Sequence, residues 1–124
     1  MKMDPDRRRR ILDDMVRYAT TVAAVVRRGR DEFFDPSEVR NRATIEHYLE
    51  LLGEASEAVG RSFRTTHPEL PWEAMRRFRF DSGHPYDDLA HPVNHEEIWR
   101  FASLDLPRIA RQLRKVKVPD GGPP

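Results

Sequence analysis

Along the first third of the chain, apolar residues return at steps of three and four: Ile11, Leu12, Met15, Val16, Ala19, Val22, Ala23 and Val26. That period lines one face of an α-helix, whereas a strand would require strict alternation. The helix is expected to begin near Asp4 or Asp6, with Pro5 in its first turn, and to stop at Gly29. Phe33 and Phe34 then fall in a short connector that covers the end of the core. A second helix is predicted from Asp35 as N-cap, with Pro36 at the first helical position and Glu38 completing a capping box. Its buried stripe reads Val39, Ala43, Leu49, Leu52, Ala55 and Val59. Ile45, Tyr48 and Leu51 widen that face toward a second neighbour, and Gly60 provides the stop.

The segment His67-Pro-Glu-Leu-Pro-Trp72 is a turn that feeds a third helix, with Pro71 at its start and Trp72, Met75 and Phe78 facing inward. Next comes Arg79-Phe-Asp-Ser-Gly-His-Pro-Tyr-Asp-Asp-Leu-Ala-His-Pro-Val93. Its glycine and two His-Pro pairs oppose a continuous helix. A last helix starts near Asn94, with Glu97 in its first turn and Ile98, Phe101, Leu104, Ile109 and Leu113 facing the core. Pro107 is expected to kink it. No alternating run, hairpin signal or internal repeat is present. These features predict an all-α, four- to five-helix up-and-down bundle, one domain over residues 1–118 followed by a disordered tail at 119–124. The apolar content is 38%, lean for a chain of this length, and favours burial of part of the surface in a dimer.

No apolar run is long enough to span a bilayer, and Asp13 and Asp14 interrupt the stretch that a signal peptide would need. The reading is a cytoplasmic protein without membrane attachment. Cysteine is absent, so neither a disulfide scaffold nor thiolate chemistry is available. The net charge is only +1, which excludes a global polycationic field. The cations are nearly all arginine, however, and cluster at 7–10, 27–30, 76–79 and 108–114. A guanidinium fork suits phosphate, although charge runs of this kind commonly form solvated helix faces.

Three of the five histidines, His84, His91 and His95, fall within the twelve residues that begin at His84. His91 and His95 have a helical metal-pair spacing, but Pro92 between them breaks the helix that such a pair requires. No metal site and no cofactor are expected. Arg79 and His84 offer different chemistry. Imidazole exchanges protons near neutral pH, and a guanidinium holds a phosphate and offsets charge developing on it. Together they suffice for metal-free RNA cleavage, in which the ribose 2′-hydroxyl attacks the adjacent phosphate. Spacing alone favours a capped helix end with a solvated histidine over this chemistry.

The ordered set of motifs resembles the HepT-like branch of the HEPN ribonuclease superfamily. Arg79, His84 and Tyr86 fit its Arg-x4-His-x-Tyr pattern after a Pro-Trp turn at Pro71-Trp72. Glu46 to Ala55, containing Gly53-Glu54-Ala55, resembles the family's Gly-Glu-Ala helix, and Glu97-Ile98-Trp99 with Leu106-Pro107 resembles its last helix. The likeness covers roughly residues 8 to 116. It implies a homodimer in which two Arg–His pairs form one cleft, and a toxin that cleaves transfer RNA or messenger RNA. It also implies an MNT-type nucleotidyltransferase as antitoxin. Under this resemblance Arg79 binds phosphate and stabilises charge, His84 transfers protons, and Tyr86 is the site of AMPylation. Arg77 is the reserve for Arg79, and His91 is the catalytic histidine in an alternative register that loses both the arginine and the tyrosine.

The chain departs from the family pattern at Phe80, where asparagine is usual, and at Ser82-Gly83 and Pro85, which flank the histidine. About four extra residues also stand between Tyr86 and Trp99. These departures define the alternative reading: a catalytically inactive HEPN helical dimer that binds a nucleotidyltransferase or a nucleotide.

Overall fold

In the computed structural model, residues 3–78 and 94–116 are described, and all of their regular structure is helical. Helix α1 spans Pro5–Val26 and α3 spans Val39–Ala58, and these two form the principal packed pair. The short helix α2, Arg30–Phe34, and the short helix α4, Arg61–Thr66, connect the longer elements. Helix α5, Trp72–Arg76, packs against α3. The last arm runs through α6, His95–Arg100, a π-helical turn, Phe101–Asp105, and α7, Leu106–Lys115, which returns against α1.

The N-terminus of α1 forms as its sequence predicts. Asp4 is the N-cap, its side chain accepts from the Asp6 N–H at 3.0 Å, and Pro5 occupies the first turn, where its missing N–H costs no helical bond. Gly29 and Gly60 have φ of 101° and 95°, a region that L side chains rarely occupy. They turn the chain out of α1 into α2 and out of α3 into α4.

The start of α3 differs from expectation. Asp35 does not cap it: Asp35 Oδ1 accepts instead from the Ser37 N–H at 2.9 Å and the Ser37 hydroxyl at 2.8 Å, and the helix begins four residues later at Val39. An Asx turn competes locally with helix nucleation, and here it wins. The buried stripe shifts accordingly. Val39 is 51% exposed and Ala43 is also exposed, whereas Ile45, Leu49, Leu52, Ser56 and Val59 are buried. The Ser56 hydroxyl donates to the Leu52 carbonyl at 2.8 Å, so its burial leaves no donor unmet.

Pro107 is accommodated by a wide turn. The Leu106 N–H bonds the Phe101 carbonyl, five residues back. Proline lacks an N–H and clashes with the carbonyl four residues earlier, and a π turn relieves both conflicts. The extra residue advances the helical phase. Core positions therefore run Ile98, Phe101, Ala102, Leu106, Ile109, Ala110 and Leu113. Leu104, expected in the core, is 62% exposed.

The core centres on Met15, Val22, Ile45, Leu52 and Met75, all without solvent exposure. Each such side chain contributes about 1.5–3 kcal/mol of transfer free energy. No helix among the described residues is long and apolar enough to cross a membrane.

Candidate active site

The turn before α5 is built from aromatic and backbone contacts. The His67 ring stacks on Phe63 with centroids 4.1 Å apart, and the His67 carbonyl accepts from the Trp72 indole N–H at 2.8 Å. Trp72 is buried and meets Phe63 edge-on at 6.2 Å. His67 is therefore a structural histidine. With Met75 fully buried behind it, this turn fixes the direction in which α5 leaves the core.

At the end of α5 the side chains separate by chemistry. Arg76 pairs with Glu57 of α3 at 2.7 Å. Arg77 Nη2 donates to Glu97 Oε2 of α6 at 2.9 Å. Phe78 packs on Phe101 with ring centroids 4.8 Å apart. Met75 and Phe78 thus lie toward the core, as the sequence predicts, while the two arginines reach carboxylates on different helices.

Helix α6 is anchored on its first turn. The Asn94 side chain accepts from the Glu97 N–H at 2.8 Å as N-cap, which agrees with a helix expected to start near Asn94. The next three residues each engage a different element. His95 Nε2 lies 3.6 Å from Glu46 Oε1 of α3. Glu96 forms a two-point pair with Arg30 of α2, one arm of which measures 3.1 Å. Glu97 holds Arg77. The hydrogen bond from Arg30 holds the Glu96 carboxyl below its ordinary value, and the same bond raises Arg30. Trp99, one turn on, packs against Phe33 at 5.2 Å.

Arg77 is thus placed at the surface with its guanidinium engaged by a carboxylate. Arg79, His84, Tyr86 and His91 lie outside the described residues. What the structure supplies is the frame on either side of them: Phe78 and Arg77 at the end of α5, and Asn94 to Glu97 at the start of α6. The sequence places Glu97 in the first turn of the last helix, but it assigns neither Glu57 nor Glu97 an arginine partner. Nineteen residues separate Glu57 from Arg76, and twenty separate Arg77 from Glu97, so no helical spacing announces either pair. Among the described residues, no group of three or more His, Cys, Asp or Glu side chains could hold a metal ion.

A family model, HepT-like ("Ribonuclease HepT-like"), matches residues 15–116. The chain belongs to this family. A relative from Thermococcus cleftensis named "Probable ribonuclease HepT" is 32% identical over 69 residues, 56% of this chain and 59% of that protein. A protein of Caldanaerobacter subterraneus subsp. tengcongensis, named as a "Putative RNase", is 28% identical over 85 residues, 68% of this chain and 71% of its own length. The aligned part of the chain therefore spans less than two thirds of the Thermococcus relative. No solved structure matches the chain.

Proposed function

We propose that the protein is a metal-independent endoribonuclease and the toxin of a HEPN/MNT toxin–antitoxin module. The observation that carries this reading is the family match over residues 15–116, which encloses the ordered Arg79-x4-His84-x-Tyr86 motif. The frame of α5 and α6 supports it, because buried aromatic contacts and ion pairs fix the residues on both sides of that motif.

In this mechanism the ribose 2′-oxygen forms a bond to the adjacent phosphorus while the bond from phosphorus to the 5′-oxygen breaks. A cyclic phosphate and a 5′-hydroxyl result. One histidine takes the 2′-hydroxyl proton and another delivers a proton to the leaving oxygen, which is why a homodimer with two copies of His84 in one cleft suits the reaction. Arg79 neutralises the negative charge that grows on the phosphoryl oxygens. The substrate is transfer RNA or messenger RNA. An MNT-type nucleotidyltransferase silences the toxin by transferring AMP to Tyr86.

Expression of the chain alone arrests bacterial growth under this reading, and His84→Ala relieves the arrest. Cleavage by the purified protein falls by about two orders of magnitude or more in His84→Ala, the usual worth of a positioned acid or base, and persists in EDTA. Full cleavage by His84→Ala, or activity restored only by a divalent cation, overturns the mechanism. Phe80, Gly83 and Pro85 favour the second reading, an inactive helical dimer that binds the nucleotidyltransferase. Under it, neither the native chain nor the variant cleaves RNA.

A further inference from the structure

Four arginine clusters mark the sequence, and the fold treats one of them differently. The cluster at 7–10 engages a carboxylate through Arg9 and Asp6. The cluster at 27–30 does so through Arg28 with Glu32 and Arg30 with Glu96. The cluster at 76–79 does so through Arg76 with Glu57 and Arg77 with Glu97. Arg8 of the first cluster is further absorbed by the Val59 carbonyl and the face of Phe63. In the last cluster no ion pair forms among the described residues. Arg114 reaches only the Thr20 hydroxyl, at 3.4 Å.

Helix α7 therefore stands apart electrostatically. Its sequence, Leu106 to Lys115, carries Arg108, Arg111, Arg114 and Lys115 and no acidic residue. All four cations are exposed. Arg108, Arg111 and Lys115 follow one another at steps of three and four, so they line one outer face, with successive charges about one helical turn, ~5 Å, apart along the axis. The opposite face is core, through Leu106, Ile109, Ala110 and Leu113.

Helix stability accounts for part of this pattern. Cations in the last turn complement the helix dipole, which covers Arg114 and Lys115. Arg108 is in the first turn and gains nothing from that effect. The row is also fixed in orientation, because the Gln112 side chain donates to the Glu69 carbonyl at 3.2 Å, tying α7 to the turn that launches α5. Arg108 borders the same groove as Pro71 and Ala74 of that turn and helix, a groove that the carboxylates Glu69 and Asp105 also line. One end of the row thus lies beside the element that leads directly into Arg79.

We propose that the outer face of α7, Arg108, Arg111 and Lys115, is a track for the sugar–phosphate backbone of RNA. This rests on the ribonuclease reading above and deepens it: the track binds substrate phosphates other than the scissile one. A row of cations without ion pairs among the described residues, at one-turn spacing, matches a polyanion, and the forks of Arg108 and Arg111 suit two-point contact with phosphate. Such contacts position the strand without reading its bases. The track therefore raises affinity for RNA generally and leaves the choice of cleavage site to other residues.

The test measures binding without requiring cleavage. A fluorescent single-stranded RNA with 2′-O-methyl riboses, which removes the internal nucleophile, is titrated with the full chain at several salt concentrations. The triple variant Arg108→Gln, Arg111→Gln and Lys115→Gln is compared with a control that loses the same three charges from other exposed sites, Arg27→Gln, Arg40→Gln and Arg61→Gln. Loss of three phosphate contacts is expected to weaken binding roughly tenfold or more at low salt and to reduce the slope of log K against log salt by about two. The control retains the native slope, and both triples retain the native circular dichroism and melting temperature. Equal losses in the two triples overturn the track in favour of general charge attraction. Native RNA affinity in the α7 triple also overturns it and leaves that face to a protein partner. A native chain that fails to bind the oligomer at all overturns both the track and the ribonuclease reading, whereas native binding with an unaffected triple overturns the track alone.

Discussion

The guanidinium of Arg77 and the carboxylate of Glu97 meet at 2.9 Å, joining a residue just before positions 79–93 to one just after them. Both side chains are about half exposed. An ion pair in that setting contributes about 0–1 kcal/mol to stability. Its geometric effect is larger than its energetic one, because it fixes where α5 ends relative to where α6 begins.

That pairing weighs against Arg77 as the phosphate-binding residue. A guanidinium already engaged by a carboxylate must exchange that partner for the substrate. Arg79→Ala is therefore expected to reduce cleavage more than Arg77→Ala does. Arg77→Ala should lower the stability measured by denaturant unfolding by less than about 1 kcal/mol. Loss of cleavage in Arg77→Ala with native cleavage in Arg79→Ala would transfer the phosphate-binding role to the reserve arginine.

The π turn before Pro107 yields a prediction about stability alone. It moves Leu104 to the surface and retains Phe101 in the core, 5% exposed and against Phe78. Phe101→Ala should cost about 3–5 kcal/mol, the range for a buried aromatic, whereas Leu104→Ala should change stability by less than about 0.5 kcal/mol. Equilibrium denaturation distinguishes the two variants. A large loss from Leu104→Ala would mean that the helical phase had not advanced.

Acid sensitivity should trace in part to Glu96. Its folded-state carboxyl is held below the ordinary value by the hydrogen bond from Arg30. A depressed carboxylate contributes stability that is present above the unfolded value, about pH 4, and is lost as pH falls through the folded value. Asp35, lowered by the Ser37 N–H, acts in the same direction. Glu96→Gln should therefore flatten the loss of thermal stability below about pH 4 relative to the native chain. An unchanged acid limb would show that the Arg30 pair does not persist in solution.

Much of this architecture is legible in the residue pattern. The α1 stripe Leu12, Met15, Ala19 and Val22 is buried as its period requires, and Asp4, Asn94, Gly29 and Gly60 mark the element ends that their chemistry suggests. The errors arise where two local rules compete. Asp35 can cap a helix or close an Asx turn, and the choice depends on whether α2 occupies residues 30–34. Pro107 can kink a helix or widen it, and the outcome decides whether Leu104 or Leu106 is core. Arg79, His84 and Tyr86 were legible only through resemblance, because an arginine and a histidine five apart carry no folding signal of their own. The pairings of Glu57 and Glu97 were illegible for the opposite reason: they depend wholly on tertiary placement.

The proposed homodimer and its proposed regulation by AMPylation are tested together through Tyr86. Two copies of His84 in one cleft require a homodimer, so light scattering should report twice the chain mass at micromolar concentration, and a monomer would remove the shared cleft. Tyr86 stands two residues beyond His84 in the sequence. Transfer of AMP bonds the phenolic oxygen to the α-phosphorus of ATP, with pyrophosphate leaving. The modification places an anion and a bulky nucleoside close in sequence to Arg79. That phosphate can pair with the guanidinium and exclude the substrate phosphate, a local pairing effect of added charge. Under the proposed reading, co-expression with an MNT-type nucleotidyltransferase is expected to add one or more AMP units by intact-mass analysis, and Tyr86→Phe should abolish the addition. Growth should then recover for the native chain and not for Tyr86→Phe. If His91 rather than His84 were the catalytic base, His91→Ala would be the inactive variant, and Tyr86 would stand before that histidine rather than after it. Recovery of growth without a gain in mass would show inhibition by binding alone and would leave Tyr86 without a regulatory role.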